Sequence, residues 1–473
     1  MSSAVVWFRR DLRLDDLPAL HEATRHCATV VPLFVLDPAL LGPAGPNRRR
    51  FLAEALRALD RQLGGVLVLR LGDPRTVVPA FAAEVGASVV TATADFGPYG
   101  SSRDGAVAEA LADSGRALLF VDSPYAVAPG RVRSRSGAPL RVFGAFRRAW
   151  EDIGWERPES APAANFVDAP SDATPDDIDA GIAVPGRAGL PAWWEGLPLE
   201  VARQLPAAGP VEARDRLERF VEKGLAQYAE DRHRPAVEGT SGLSPYLHFG
   251  CIHPRTILHR IAMAQGADIV RSELAWREFY ADVLWHRPES ARRPLQAFGA
   301  HLRWDTGEWA RDRFRAWATG RTGFPLVDAG MRQLLAEGWM HNRVRMVVAS
   351  FLVKDLHIDW RLGARWFMWH LVDGDLASNQ HNWQWVAGTG TDAAPFHRVF
   401  NPSVQQERFD PDGSYVRRYL EGIVDISLGG PGGGPLPLDN PYPEPVVDHI
   451  RERREALARF DDARRLAAAT QGA

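Results

Sequence analysis

GMRQLLAEGWMHNRVRMVVASFLVKDLHIDWRLGARWFMWHLVDGDLASNQHNWQWVAGTGTDAAP, residues 330–395, decides how the rest of the chain reads. Trp339, Asn342, Arg345 and Met346 fall three and four apart, the spacing that puts side chains on one face of a helix. Asp375, Asn379 and Trp383 recur every four residues and so stack along one side of a second helix. Both faces mix a large aromatic ring with amide, carboxylate or guanidinium groups, where an ordinary core helix is plainly apolar. A single helix of this kind is explained by a tryptophan-rich core whose polar groups are satisfied locally. Several in succession suit a flat polar heterocycle held between aromatic walls and a few placed polar groups.

Composition sets the outer bounds. The 473 residues, 45% hydrophobic and 24% charged, make an ordinary soluble globular composition. That length provides for roughly two to four domains with ample buried core. No apolar run reaches the length of a membrane span, and Arg9, Arg10 and Asp11 follow the N-terminus too closely for a signal peptide; a cytoplasmic protein is expected. The two cysteines, Cys27 and Cys251, are too few for a four-thiolate cluster or a typical structural zinc site, so no metal and no disulfide are expected. A net charge of −3 gives no overall attraction to nucleic acid, and DNA binding requires basic side chains to converge on one surface. Eleven of the 16 tryptophans lie beyond residue 270, which segregates the aromatic chemistry in the C-terminal half.

Residues 1–125 alternate β-branched runs at 4–8, 30–36, 66–71, 88–93 and 117–121 with amphipathic segments at 18–25, 48–63, 75–85 and 103–114. That alternation predicts an α/β domain with a parallel five-stranded, doubly wound sheet. No G-x-G-x-x-G or P-loop follows a strand, so a nucleotide site of either kind is not supported. Ligands in such sheets sit at the carboxyl ends of the strands, where Asp11 and Asp95 fall and ADFGPYG forms a lip. Residues 126–210, rich in Pro, Ala, Asp and Gly, read as a long interdomain linker with one short helix at 140–150. Its Arg131, Arg133, Arg135, Arg147 and Arg148 read equally as a solvated charge run or a DNA edge. Residues 211–473 predict a larger all-α domain with helices at 212–228, 254–263, 271–285, 325–337, 342–356 and 361–371, a Gly/Pro loop at 429–437 and a charged closing helix at 449–467.

Two further patterns carry chemistry. Thr240, Ser241, Gly242, Leu243 and Ser244 set small hydroxyl residues around a glycine, a pattern able to hold a phosphate and equally able to cap a helix. In SELAWREFY, Glu273, Trp276 and Tyr280 share a helical face, with Arg277 beside them as a ligand group or a structural ion pair.

The blocks GWMHNRVRM (338–346), FLVKDLHIDW (351–360), LVDGDLASNQHNWQW (371–385) and TGTDAAPFHRVFNP (389–402), with WFRRDLRL (7–14) at the start, resemble the signature blocks of the photolyase/cryptochrome family. The likeness is strongest to its bacterial (class I) cyclobutane-pyrimidine-dimer DNA photolyases and runs over essentially the whole chain. It implies a C-terminal domain that binds FAD and DNA and an N-terminal domain that binds an antenna chromophore. The implied activity is light-driven repair of UV-damaged DNA, by electron transfer from photoexcited reduced FAD to a flipped-out dimer. The implied enzyme is a monomer with no obligate protein partner and no membrane. A cryptochrome-like photoreceptor without repair activity is the alternative, and a flavoprotein with no DNA role is a third reading.

The same resemblance distributes roles. The flavin falls to Tyr228, Thr240, Ser241, Gly242, Leu243 and Ser244, the last five at its diphosphate, and to Glu273, Arg277, Trp339, Asn342, Arg345, Asp373, Asp375 and Asn379, with Arg345 paired to Asp373. Asn379 takes the place facing the reactive flavin nitrogen, where plant-type cryptochromes carry an aspartate. The catalytic pocket for the damaged bases falls to Glu273, Trp276, Asn342, Met346, Asn379 and Trp385, with Trp276 and Trp385 as aromatic walls. Six-four photolyases place a second histidine near Met346, and His341 has no such partner here. Trp383, Trp360 and Trp304 match an electron-transfer ladder, with Trp309 as the alternative last step and core packing as the alternative for each. Arg232, Trp276, Arg343, Trp385 and Arg398 fall on the DNA side, Arg343 and Arg398 at phosphates. The antenna set is Arg48, Asp95, Tyr99 and His248, but Gly97 replaces the acid and His248 the lysine of deazaflavin-binding relatives. A deazaflavin is preferred there, with a folate or no chromophore as alternatives. Asp15, Asp16 and Leu17 also depart from the family's His-Asp-Asn, and His397 from its aromatic.

Overall fold

The computed structural model describes residues 3–179, 190–391, 398–420 and 442–471. Five strands, β1 (Ser3–Phe8), β2 (Thr29–Leu36), β3 (Val68–Leu71), β4 (Ala87–Ala92) and β5 (Ala117–Phe120), form one sheet in the order β3-β2-β1-β4-β5. Every pairing is parallel. The helices between them, Pro18–His26, Pro46–Gln62, Pro74–Glu84 and Pro98–Asp113, all begin on proline, whose fixed φ suits a first turn and whose missing N–H costs nothing there. Alternate residues of β1 feed opposite faces: Val5 and Trp7 pack into one core, Ala4, Val6 and Phe8 into another. The second core does not stop at the sheet. It runs on through Leu217, Tyr246 and Phe279, so the helical half is built onto one face of the α/β half.

β1 lies between β2 and β4, so the order of connection reverses beside it, and its carboxyl end opens a crevice with that of β4. Arg9, Arg10 and Asp11 leave one side of that crevice and Asp95 the other. The helical half closes over it. The Leu12 N–H donates to the Phe249 carbonyl (3.2 Å), and Arg13 donates to the carbonyl of Gly250 (3.0 Å). Gly250 has φ 68°, and a Cβ there would lie 1.9 Å from the Arg10 carbonyl oxygen; only glycine admits this approach.

After β5 the chain crosses to the helix Ala267–His286, which anchors it with two buried carboxylates one turn apart. Glu278 accepts from the N–H groups of Ala126 (2.6 Å) and Val127 (2.9 Å) and from the Trp150 indole (2.6 Å); Asp282 accepts from Gly130 (2.6 Å). The crossing segment carries one helix of three turns, Phe143–Ile153. Its Arg147 is engaged by Glu151 and Asp268, which removes it from any free basic edge.

Two expected helices and one expected helical face are revised. The one at 212–228 ends at Lys223: Phe220 packs against Gly224, and a short 3-10 turn leads to Tyr228–Asp231. Trp339 does not share the face of Asn342, Arg345 and Met346. The helix Pro325–Glu337 stops at Gly338 (φ 63°), and a new one, Asn342–Ser350, starts under a His341 cap. That second helix does not run on to 356 but widens into a π turn over Phe351–Asp355. The closing helix spans His449–Gln471, and the loop expected at 429–437 lies outside the described residues. None of the described helices is long and apolar enough to cross a membrane.

Candidate active site

The helix Leu376–Ala387 begins at Asp375, whose Oδ1 caps it by accepting from the Ser378 N–H (2.9 Å). Its other oxygen receives Arg10 from the α/β half at 2.8 Å. Burial works to raise the Asp375 carboxyl, but Arg10, then Arg277 and His248, hold it far below the usual carboxylate range. Arg277 donates to the carbonyls of Pro124 (3.2 Å) and Leu247 (3.3 Å) and lies 4.6 Å over the Tyr125 ring. One turn beyond Asp375, the Asn379 amide donates to the Ala364 carbonyl (3.0 Å) and the Gln380 side chain (2.9 Å).

Arg345 and Asp373 form the expected pair, fork to fork at 3.2 and 2.9 Å, and the Arg345 Nε donates to the Met340 carbonyl (2.7 Å). Trp339, although off the helix, still meets Arg345, whose guanidinium stands 5.9 Å from its ring. Asn342 is exposed at the first helical position.

A second group of charges sits beside this one. Glu273 pairs with Arg232 at 2.5 Å, and burial followed by the Glu273 charge pushes the Tyr228 hydroxyl up to about 12. Next to them opens a cavity of about 180 Å³. Met346, Val347, Trp385, Phe400 and Phe409 give it apolar walls, and His233, Arg343, Arg398 and Arg408 a basic rim. The Arg343 Nε donates to the His233 ring (3.0 Å), and burial together with Arg343, Arg232 and Arg408 lowers the His233 pKa. Trp276 is not among the residues lining this cavity. Its ring stacks on Phe143 of the crossing helix at 3.6 Å and 10°, so one of its faces is covered. Aromatic stacking between the linker and the helix Ala267–His286 takes up the face that the spacing of SELAWREFY left open.

Comparison with known proteins matches residues 4–164 to the DNA photolyase family and residues 270–462 to the FAD-binding domain of DNA photolyase. A deoxyribodipyrimidine photo-lyase of Streptomyces griseus is 42% identical, covering 98% of this chain and 100% of its own. One of Agrobacterium fabrum is 38% identical over 96% and 97% of the two chains.

The chain belongs to the DNA photolyase family.

Among solved structures, a bacterial class III photolyase from Agrobacterium tumefaciens superposes with a TM-score of 0.86 at 35% identity, covering 98% of each chain. A Synechocystis cryptochrome superposes with a TM-score of 0.84 at 26% identity, covering 97% of this chain and 99% of its own. An archaeal photolyase from Sulfolobus tokodaii, with a TM-score of 0.80 at 28% identity over 97% of this chain and 100% of its own, is described with two FAD molecules, with the implication of a novel light-harvesting cofactor.

The residues present fit the FAD that this domain binds. Gly242 has φ 58°, and a Cβ there would meet the Arg216 guanidinium at 2.3 Å. The Thr240–Ser244 loop is therefore a cradle of small groups under a cation, as a diphosphate requires. Arg216, which also donates to the Ser241 carbonyl (2.9 Å), was not foreseen; it sits on an ordinary charged helix. The buried His248 Nδ1 has no partner among the described residues, next to Arg10 and Asp375. Arg10 was not singled out for this site by the sequence pattern.

The expected antenna residues divide. Asp95 and Tyr99 meet at Arg103, which is 3.3 Å from the Asp95 carboxylate and 5.7 Å from the Tyr99 ring. Tyr99 spends its hydroxyl on Asp37 (2.6 Å). Arg48 turns instead toward the helical half, donating to the Gly374 carbonyl at 3.4 Å, and a Cβ at Gly374 would sit 2.4 Å from it.

Trp383 and Trp360 are buried, Trp304 is half-buried, and Trp309 is 51% exposed. Gly363 lets the helix Trp360–His370 press against Trp383, since a Cβ would lie 2.2 Å from its ring. Trp383 also packs edge-on to Trp317 at 6.2 Å, a neighbour the sequence pattern did not single out. The Arg313 guanidinium lies 3.1 Å from the Trp309 ring centre. His397 lies outside the described residues.

Proposed function

We propose that this chain repairs cyclobutane pyrimidine dimers in DNA in a light-driven reaction, as the names of its relatives suggest. The observation that carries the reading is the cavity of about 180 Å³ between Met346 and Trp385, apolar within and ringed by Arg343, Arg398 and Arg408. A flipped dimer needs that combination: rings to pack against, and cations for the phosphates on either side. Bound FAD supplies the photoexcited electron donor. The chain's own residues supply position and field. Arg343 and Arg398 hold the backbone, Met346 and Trp385 exclude water from the pyrimidines, and Glu273 accepts from the base edges once Arg232 turns to a phosphate. Asn379 offers an amide at the flavin where an acid would deliver a proton. Trp383, Trp360 and Trp304 serve as the path that refills the flavin. Asp95, Tyr99 and Arg103 form the best-supported edge of an antenna pocket, which suits a deazaflavin or a folate.

The deciding experiment illuminates the reduced holoprotein with an oligonucleotide carrying one thymine dimer and measures restored thymines. Restoration dependent on light is the expected result. Tight binding without restoration would replace the repair reading with that of a photoreceptor.

A further inference from the structure

The helix that supplies Met346 to the cavity also carries Ser350 and Lys354, each one turn further on. Met346 forms one wall, and the other two residues reach the backbone of the opposite wall. The Phe400 N–H donates to the Ser350 hydroxyl at 3.5 Å, and the Lys354 ammonium donates to the carbonyl of Arg398. Arg398 and Phe400 both line the cavity. The π turn at Phe351–Asp355 inserts the extra residue that turns Lys354 inward, and such turns recur where a helix is bent to a task.

Lys354 is a costly residue for a packing role. It is only 4% exposed, and burial pushes its ammonium down to about 7, with Asp355 acting the other way. Asp355 is itself engaged by His449 of the closing helix at 2.5 Å. A methionine would fill the same space without the desolvation cost. The amine therefore marks a need for a donor at that point.

We propose that Lys354 is a positioning residue for the damaged-base cavity: with Ser350 it clamps the Arg398–Phe400 backbone so that the rim arginine and the second wall stand ready before DNA arrives. This rests on the reading of that cavity as the substrate site. The clamp acts on the free protein, so its loss weakens capture and leaves the light reaction of bound substrate alone.

The test uses the full-length holoprotein. Lys354→Met is expected to weaken affinity for dimer-containing oligonucleotide about tenfold, the loss of one charge-assisted hydrogen bond. Repair per flash in the saturated complex stays within about twofold of wild type, and binding of undamaged duplex changes far less. Lys354→Gln, which keeps a donor, recovers most of the affinity. Ser350→Ala shows a smaller loss in the same direction. If Lys354→Met releases FAD, the glutamine and alanine variants decide. Affinity unchanged in Lys354→Met, or glutamine as impaired as methionine, or repair in the saturated complex falling in step with affinity, would each overturn the proposal. Failure of the wild-type chain to bind dimer-containing oligonucleotide more tightly than undamaged duplex is read without any variant; it removes the substrate-site reading and the clamp's role with it.

Discussion

Replacing Arg345 with methionine keeps most of the side-chain length and removes the fork that holds Asp373. Asp373 is 8% exposed and loses two charge-assisted bonds, at 3.2 and 2.9 Å, while the Met340 carbonyl loses its 2.7 Å donor. The two charge centres stand about 4 Å apart, an attraction of about 4 kcal/mol at the effective dielectric typical of protein sites. The arginine side chain is 22% exposed, so solvent trims this figure, and a measured coupling of about 2 kcal/mol is expected. The single change leaves a buried carboxylate unpaired and should cost about 3 kcal/mol. Asp373→Asn relieves much of that penalty, so the double variant is more stable than the sum of the two singles. Urea denaturation of all four proteins, followed by tryptophan fluorescence, gives the cycle. The ratio of bound FAD, read from absorbance, should fall in both singles. A coupling below about 0.5 kcal/mol, with full FAD content in Arg345→Met, would refute the assignment of this pair to the flavin's surroundings.

Other outcomes follow from neighbouring residues. Asn379→Asp puts a carboxyl opposite two acceptors, the Ala364 carbonyl and the Gln380 side chain, so the acid is held protonated. With its folded pKa above the unfolded value, this variant loses stability relative to wild type as pH rises from 5 to 8; a pH-independent difference in urea midpoint would contradict this. Trp304→Phe should slow photoreduction of the oxidised flavin about tenfold and Trp309→Phe hardly at all, because the Arg313 guanidinium on the Trp309 ring disfavours a positive charge there. Absorbance under blue light ranks the two, and the reverse order would assign the last step to Trp309. Burial pushes the Glu278 carboxyl up to about 7 despite its three donors. Its neutral form thus favours the fold at low pH, a contribution fully present below about 4.5 and lost as pH rises through about 7. Glu278→Gln abolishes that pH slope in unfolding free energy, and a slope equal to wild type would show that the carboxyl is not its source.

The α/β half was nearly all legible because its three central strands, β1, β2 and β4, are almost wholly buried and rich in β-branched residues, while the short edge strands β3 and β5 were placed by the helices on either side of them. Periodicity served the helical half less well where the chain breaks rhythm. Trp339 has the spacing of a helical face, yet Gly338 ends the helix one residue earlier. The π turn at Phe351–Asp355 leaves no mark, since a widened turn needs no special residue. Arg345 with Asp373 could be paired from motif alone. Arg10 with Asp375 could not, because 365 residues separate them and only folding brings the strand's end to the helix cap. The stacking of Phe143 on Trp276 is equally non-local. Arg408 and His233 escaped notice for a plainer reason: single basic residues on exposed segments carry no pattern until a cavity gives them one.

The bond from Arg10 to Asp375 has a consequence for how this protein can be taken apart. Severed from its partner half, the C-terminal segment would expose a bare acid at the mouth of its ligand chamber, and the N-terminal segment a stranded base with a raw apolar flank. Neither fragment is a free-standing module. Shuffling either half between relatives should yield a working protein only when both ends of that tie travel together.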